Sequence, residues 1–143
     1  MIWEPNKAPF FMSQNFQSTS KQTGMLFESL VEKHLKDSMK QIVHRNFKFS
    51  SIGIDVDFVA TDGLITEYIE AKGGLSGHKK RPGAQRTDSV KKAIANGALL
   101  KAVNPDAYFV VYFSAKPTPG SSSDMMIQNA INAGYVDDVR YIN

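Results

Sequence analysis

At 143 residues, with 42% hydrophobic and 22% charged side chains, the chain is sized for one soluble domain that buries its own core. It contains no cysteine, which excludes a disulfide framework, a thiolate zinc site and a cysteine nucleophile. The net charge is only +3, no apolar run approaches the roughly 20 residues of a membrane helix, and the N-terminus lacks the basic-then-apolar order of a signal peptide. The expectation is a cytoplasmic protein with no membrane partner.

In chain order, residues 1–21 are rich in Ser, Gln, Asn and Pro, with Trp3, Phe10, Phe11 and Phe16 interspersed. They are expected to form an extended arm anchored by its aromatics, on its own domain or on a second subunit. From about Gln22 to Met39, Leu26, Phe27, Leu30, Val31, His34 and Leu35 recur at helical spacing, with Thr23 placed as N-cap. Ile42 to Phe49 reads as a strand. Residues 53–72, GIDVDFVATDGLITEYIEAK, read as two further strands joined through Thr61-Asp62-Gly63, where Asp-Gly is a strong hairpin signal. Gly73, Gly74 and Gly77 then loosen the chain ahead of a second helix over about Gly83 to Val103, with Val90, Ile94, Ala98 and Leu99 as its apolar stripe. The run AYFVVYFSA, 107–115, suits a strand covered on both faces. Lys116 to Ser123 is a loop, Ser123 opens a third helix to about Ala133, and a short strand closes the chain around Val139 to Ile142. The order specifies an α/β domain spanning 1–143, a mixed central sheet flanked by helices.

The charged residues of the second and third strands carry the chemistry. Side chains two apart on a strand share a face, so Asp55 pairs with Asp57, and Glu70 with Lys72. If the strands pair, three carboxylates and one ammonium converge at the edge of an otherwise apolar sheet. Such carboxylates suit a hard divalent cation such as Mg²⁺, with Mn²⁺ expected to substitute. A lysine beside them stabilises developing charge or orients a water. Charge is unevenly distributed. Residues 73–101 hold seven basic residues (Lys79, Lys80, Arg81, Arg86, Lys91, Lys92 and Lys101) against Asp88 alone, a net +6, which leaves −3 for the rest of the chain. A basic block directly after a metal-binding strand fits an arriving polyanion. His34, His44 and His78 show no ligand spacing.

Val56-Asp57-Phe58-Val59-Ala60, followed by Ile69-Glu70-Ala71-Lys72, resembles the core of the PD-(D/E)xK nuclease superfamily. Gly24 to Glu32 supplies the acidic helix that precedes those strands in the superfamily, with Glu28 at the matching position and Glu32 one turn later as its competitor. Among members, the archaeal-type Holliday junction resolvases look most similar. An alignment to Mrr-type restriction nucleases, through Gly53-Ile54-Asp55, nominates Asp55 in place of Asp57. The resemblance spans roughly residues 22–75, and Ser29 stands where resolvases often carry arginine.

The resemblance implies a restriction-endonuclease-like core of order αβββαβ and metal-assisted hydrolysis of DNA phosphodiesters. Its catalytic set is Glu28, Asp57, Glu70 and Lys72. The metal would be held by Asp57, Glu70 and the Ala71 carbonyl, with Asp55 as a further candidate. Lys79, Lys80, Arg81, Gln85, Arg86 and Lys91 would contact DNA, chiefly its backbone. Resolvases act as dimers, which implies a homo-oligomer. Three activities compete at this point: a structure-selective or nicking endonuclease, a sequence-specific restriction or homing nuclease, and a DNA-binding protein whose nuclease core no longer cleaves.

Overall fold

The computed structural model describes residues 24–73 and 82–143. The expected N-terminal arm, the Thr23 cap and the basic residues Lys79, Lys80 and Arg81 lie outside the described residues. Helix α1 occupies 24–37 and buries Phe27, Val31 and Leu35, one stripe at four-residue spacing. It closes in a Schellman turn. Lys40 N–H reaches back to the Leu35 carbonyl and Met39 N–H to that of Lys36, with Met39 itself left-handed at φ 63°.

Strands β1 (Gln41–Phe49), β2 (Ile54–Thr61) and β3 (Thr66–Lys72) follow as an antiparallel meander. The turn between β2 and β3 is longer than the two-residue type that Asp-Gly predicts. Asp62 explains this: its carboxylate accepts the Leu64 and Ile65 N–H groups, both at 2.9 Å, stabilising a four-residue loop. A short 3₁₀ turn (Gly83–Gln85) leads into α2 (Thr87–Val103), so the second helix starts four residues later than its sequence pattern predicts. Strand β4 (Tyr108–Phe113), helix α3 (Ser122–Asn132) and strand β5 (Asp138–Tyr141) complete the chain. Ser121, not Ser123, caps α3 by accepting the Asp124 N–H.

The five strands lie in the order β1-β2-β3-β4-β5, antiparallel from β1 to β3 and parallel from β3 to β5. The fold is α/β, with helices on both faces of a mixed sheet. One face packs α1 on Phe58, Ala60, Ile69, Val110 and Tyr112. The other packs α2 and α3 on Val59, Phe109, Val111 and Phe113. Both crossover helices, β3-α2-β4 and β4-α3-β5, therefore cover the same face. No helix among the described residues is long and apolar enough to cross a membrane.

Two packing details set the position of the site. The buried stripe of α2 is Val90, Ala93, Gly97 and Leu100, so the helix is rotated from the expected Val90, Ile94, Ala98 and Leu99, and Leu99 is exposed. Gly97 is the reason the helix sits so close to the sheet. A Cβ there would lie 2.8 Å from the Phe109 ring and closer still to the Tyr135 carbonyl oxygen. Because that oxygen belongs to backbone, Gly97→Ala is expected to lift α2 and cost about 1–3 kcal/mol, read as a lower midpoint in urea unfolding. An unchanged midpoint would show that α2 moves freely.

Strict alternation along β2 also fails. Phe58 and Ala60 face α1, while Val56 joins Val59 in the opposite core. Asn46, facing this stretch from β1, is left-handed at φ 50°. The β1–β2 register itself shifts between Ile42 and His44.

Candidate functional site

Strand β3 runs parallel to β4 with Glu70 opposite Val111 and Lys72 opposite Phe113. Both apolar partners belong to the core under α2 and α3, so Glu70 and Lys72 emerge on that face near the carboxyl end of the central strand. This is the end at which open α/β sheets collect ligands. The β2–β3 ladder stops at Phe58↔Ile69. Beyond it the Asp57 carboxylate accepts the Ala71 N–H at 2.7 Å, in the role a strand carbonyl would otherwise fill. A charged acceptor makes this a strong bond, and it anchors Asp57 next to Glu70.

Glu70 is only 5% exposed. Its carboxyl is pushed up to about 9, first by burial, then by its hydrogen bond to Asp57 and the Asp57 charge, with Lys72 and Asn96 opposing. Two carboxylates in contact in a dry site need a positive charge between them, either a proton or a metal ion. Glu28, one turn into α1, completes the group from the other face. Burial and the Asp57 charge raise its carboxyl, and Lys72 acts to lower it. Glu32 is engaged elsewhere, paired with Lys36 at 2.9 Å and Arg45 at 3.0 Å. Asp57, Glu70 and Lys72 thus lie near one another on β2 and β3, with Glu28 of α1 in electrostatic reach of Asp57 and Lys72.

Asp55 stands apart. It is exposed, in register with Lys48 on β1, and the charges acting on Glu28 and Glu70 are those of Asp57 and Lys72. The two aspartates that simple alternation places together thus differ in their surroundings. Among the described residues no three His, Cys, Asp or Glu side chains are grouped tightly enough to form a metal cluster. The expected convergence of three carboxylates is instead a contacting pair, Asp57 and Glu70, with Glu28 at longer range. Arg86 and Lys91 are exposed, and Gln85 is half-buried.

Two features escape the sequence patterns. Asn96 on α2 donates its side-chain amide to Glu70 Oε2. The available signal is an amide three residues after buried Ala93 and four before buried Leu100. The second is the join of Gly73 and Gly83 at the end of β4. Gly83 has φ 56°, and a Cβ on it would lie 2.6 Å from the Ala115 nitrogen and 2.8 Å from Ser114 Oγ. Ala84 N–H donates to the Ala115 carbonyl at 3.0 Å. The chain on both sides of residues 74–81 is therefore pinned to one strand end, beside Lys72.

No family model, curated protein or solved structure matches this chain. Its chemistry is read from the site alone.

Proposed function

We propose that the protein is a Mg²⁺-dependent DNA endonuclease on a restriction-endonuclease-like core, structure-selective or nicking in its action. The observation that carries this reading is the meeting of half-buried Asp57, held by the Ala71 N–H, with buried Glu70, with Lys72 and Glu28 close enough to act on their charge. The donor set fits the cation: two hard carboxylates, buried Glu70 and half-buried Asp57, lie together and call for a positive charge between them. Asp57, Glu70 and the Ala71 carbonyl would hold it, and the bound ion would supply Lewis-acid neutralisation of phosphate charge and a more acidic water.

The chain's own groups do the rest. Lys72, on the same face as Glu70, orients the attacking water and faces the developing negative charge. Burial and the Asp57 charge raise the Glu28 carboxyl above its ordinary value, and Glu28 would hold water in the site. Arg86 and Lys91 are exposed cations of the +6 segment, and contacts of this kind to phosphates fix register without reading sequence.

The deciding experiment is cleavage of labelled DNA: a four-way junction, a flap, a single strand and plain duplex, each with Mg²⁺ and with chelator. Paired cuts confined to the junction would establish a resolvase-like enzyme. Cuts at one duplex sequence would transfer the protein to the restriction or homing class, and binding without metal-dependent product would make it a DNA-binding module.

Cation binding should also depend on pH with a defined sign. Below about 9 the Glu70 carboxyl is protonated in the metal-free protein, so an arriving cation displaces that proton. The Mg²⁺ concentration that half-saturates thermal stabilisation is expected to fall as pH rises from 6.5 to 8.5, by up to about tenfold per unit. A pH-independent Mg²⁺ requirement would remove Glu70 from the ligand set.

A further inference from the structure

We infer that Asn96 is the positioning residue of this site, its side-chain amide holding the Glu70 carboxylate in the orientation that receives a divalent cation. The inference rests on Asp57 and Glu70 being the cation-holding pair. Three observations support it. The amide nitrogen of Asn96 donates to Glu70 Oε2, so one oxygen of a long side chain is tied to the helix. Asn96 is itself held in place: Ala93, Gly97 and Leu100 around it are buried, and Gly97 is pressed on Phe109 and the Tyr135 carbonyl. The third is the placement of Asp57, whose carboxylate is tied to the N–H of Ala71, the residue next to Glu70 on β3.

Glu70 is therefore held on two sides by groups of different kind. Asp57 offers a second carboxylate to the cation, and Asn96 is a neutral donor bonded to one Glu70 oxygen. A carboxylate already oriented loses less side-chain freedom when the ion arrives, which is how outer hydrogen bonds tune metal sites. The polar residue on the sheet-facing side of α2 is thereby explained, since a leucine of similar size would pack there without donating.

The test titrates MgCl₂ into the full-length protein without DNA, followed by calorimetry, for the parent, Asn96→Leu and Asn96→Ala. The dissociation constant is expected to rise about 10–100-fold in both variants. In DNA cleavage the Mg²⁺ concentration for half-activation should rise by the same factor, with kcat at saturating Mg²⁺ within a few-fold of the parent. Leucine keeps the volume and alanine removes it, so a fault in folding separates from the loss of the donor. As a readout that needs no variant, the side-chain amide nitrogen signal of Asn96 in the parent should shift when Mg²⁺ is added. Unchanged Mg²⁺ affinity in a folded variant, or an unmoved amide signal, overturns the role of Asn96 while leaving the metal pair intact. A parent protein that binds no Mg²⁺, or binds it equally well as Asp57→Asn, overturns the metal pair and this inference with it.

Discussion

Asp57→Asn is expected to lower Mg²⁺-dependent DNA cleavage by roughly a thousandfold or more, while DNA binding persists. A metal ion contributes several kcal/mol of transition-state stabilisation, and each 1.36 kcal/mol is a factor of ten in rate. Asparagine keeps an oxygen that can accept the Ala71 N–H, so the strand junction at β2 and β3 survives the change. The charge against Glu70 is what disappears.

A second effect of opposite sign is expected in the metal-free protein. The Glu70 carboxyl lies above its ordinary value. The folded state therefore holds a proton that the unfolded chain releases as pH climbs past the usual carboxylate range. Stability present in acid is lost as pH rises towards about 9. Removing the Asp57 charge relieves part of that loss, so in chelator Asp57→Asn should melt higher than the parent at pH 8 and gain little when Mg²⁺ is added. A variant that cleaves like the parent, or that melts lower at pH 8 without metal, would remove Asp57 from the site.

The largest expected effect on stability lies at the opposite end of the sheet. Glu67 on β3 accepts from Arg140 of β5 at 2.8 and 3.0 Å and pairs with Lys40, just before β1, at 2.8 Å. Arg140 also donates to the Tyr112 hydroxyl of β4 at 2.8 Å. The Glu67 side chain is 7% exposed. Burial alone would raise its carboxyl, but the hydrogen bonds from Arg140 and Lys40 more than reverse this and hold it below the ordinary value.

Glu67→Leu leaves Lys40 without its counter-charge and Arg140 with only the more exposed Asp138 carboxylate, at 2.9 Å, which costs about 3 kcal/mol. For a domain of this size, that lowers Tm by about 10 °C or more. Because the folded value of Glu67 is depressed, its contribution is present above the ordinary carboxylate range and fades as pH falls through the folded value. The difference in Tm between parent and variant should therefore be large at pH 7 and shrink in strong acid. Combining Glu67→Leu with Lys40→Met and Arg140→Met should recover most of the loss, since apolar groups of similar volume tolerate burial better than unpaired charges. A Glu67→Leu protein within 1 °C of the parent would mean that the cations find water instead.

Much of the fold is legible in the sequence because its signals are local. The stripe Phe27, Val31, Leu35 specifies α1, and the run 108–113 is apolar enough to require a strand covered on both faces. Glu70 and Lys72 share a face by simple alternation along β3, and register against Val111 and Phe113 preserves it. What failed was alternation along β2. Asp55 and Asp57 look equivalent in sequence, yet the first is exposed beside Lys48 and the carboxylate of the second accepts the Ala71 N–H.

By itself the sequence determined the element types, the α/β class and the chemistry on offer: two carboxylates and an ammonium on neighbouring strands, with a helical glutamate ahead of them. Only the tertiary structure decided which of these groups meet. Glu28 was separated from Glu32 by which side of α1 nears the strand ends, and Asn96 was brought to Glu70 because Gly97 lets α2 lie against Phe109. The Glu67–Arg140–Lys40 cluster likewise joins residues up to 100 positions apart, and no local periodicity reports such a distance. Propensity and alternation act over a few residues, whereas a buried charge is placed by whatever the whole sheet brings within hydrogen-bonding reach.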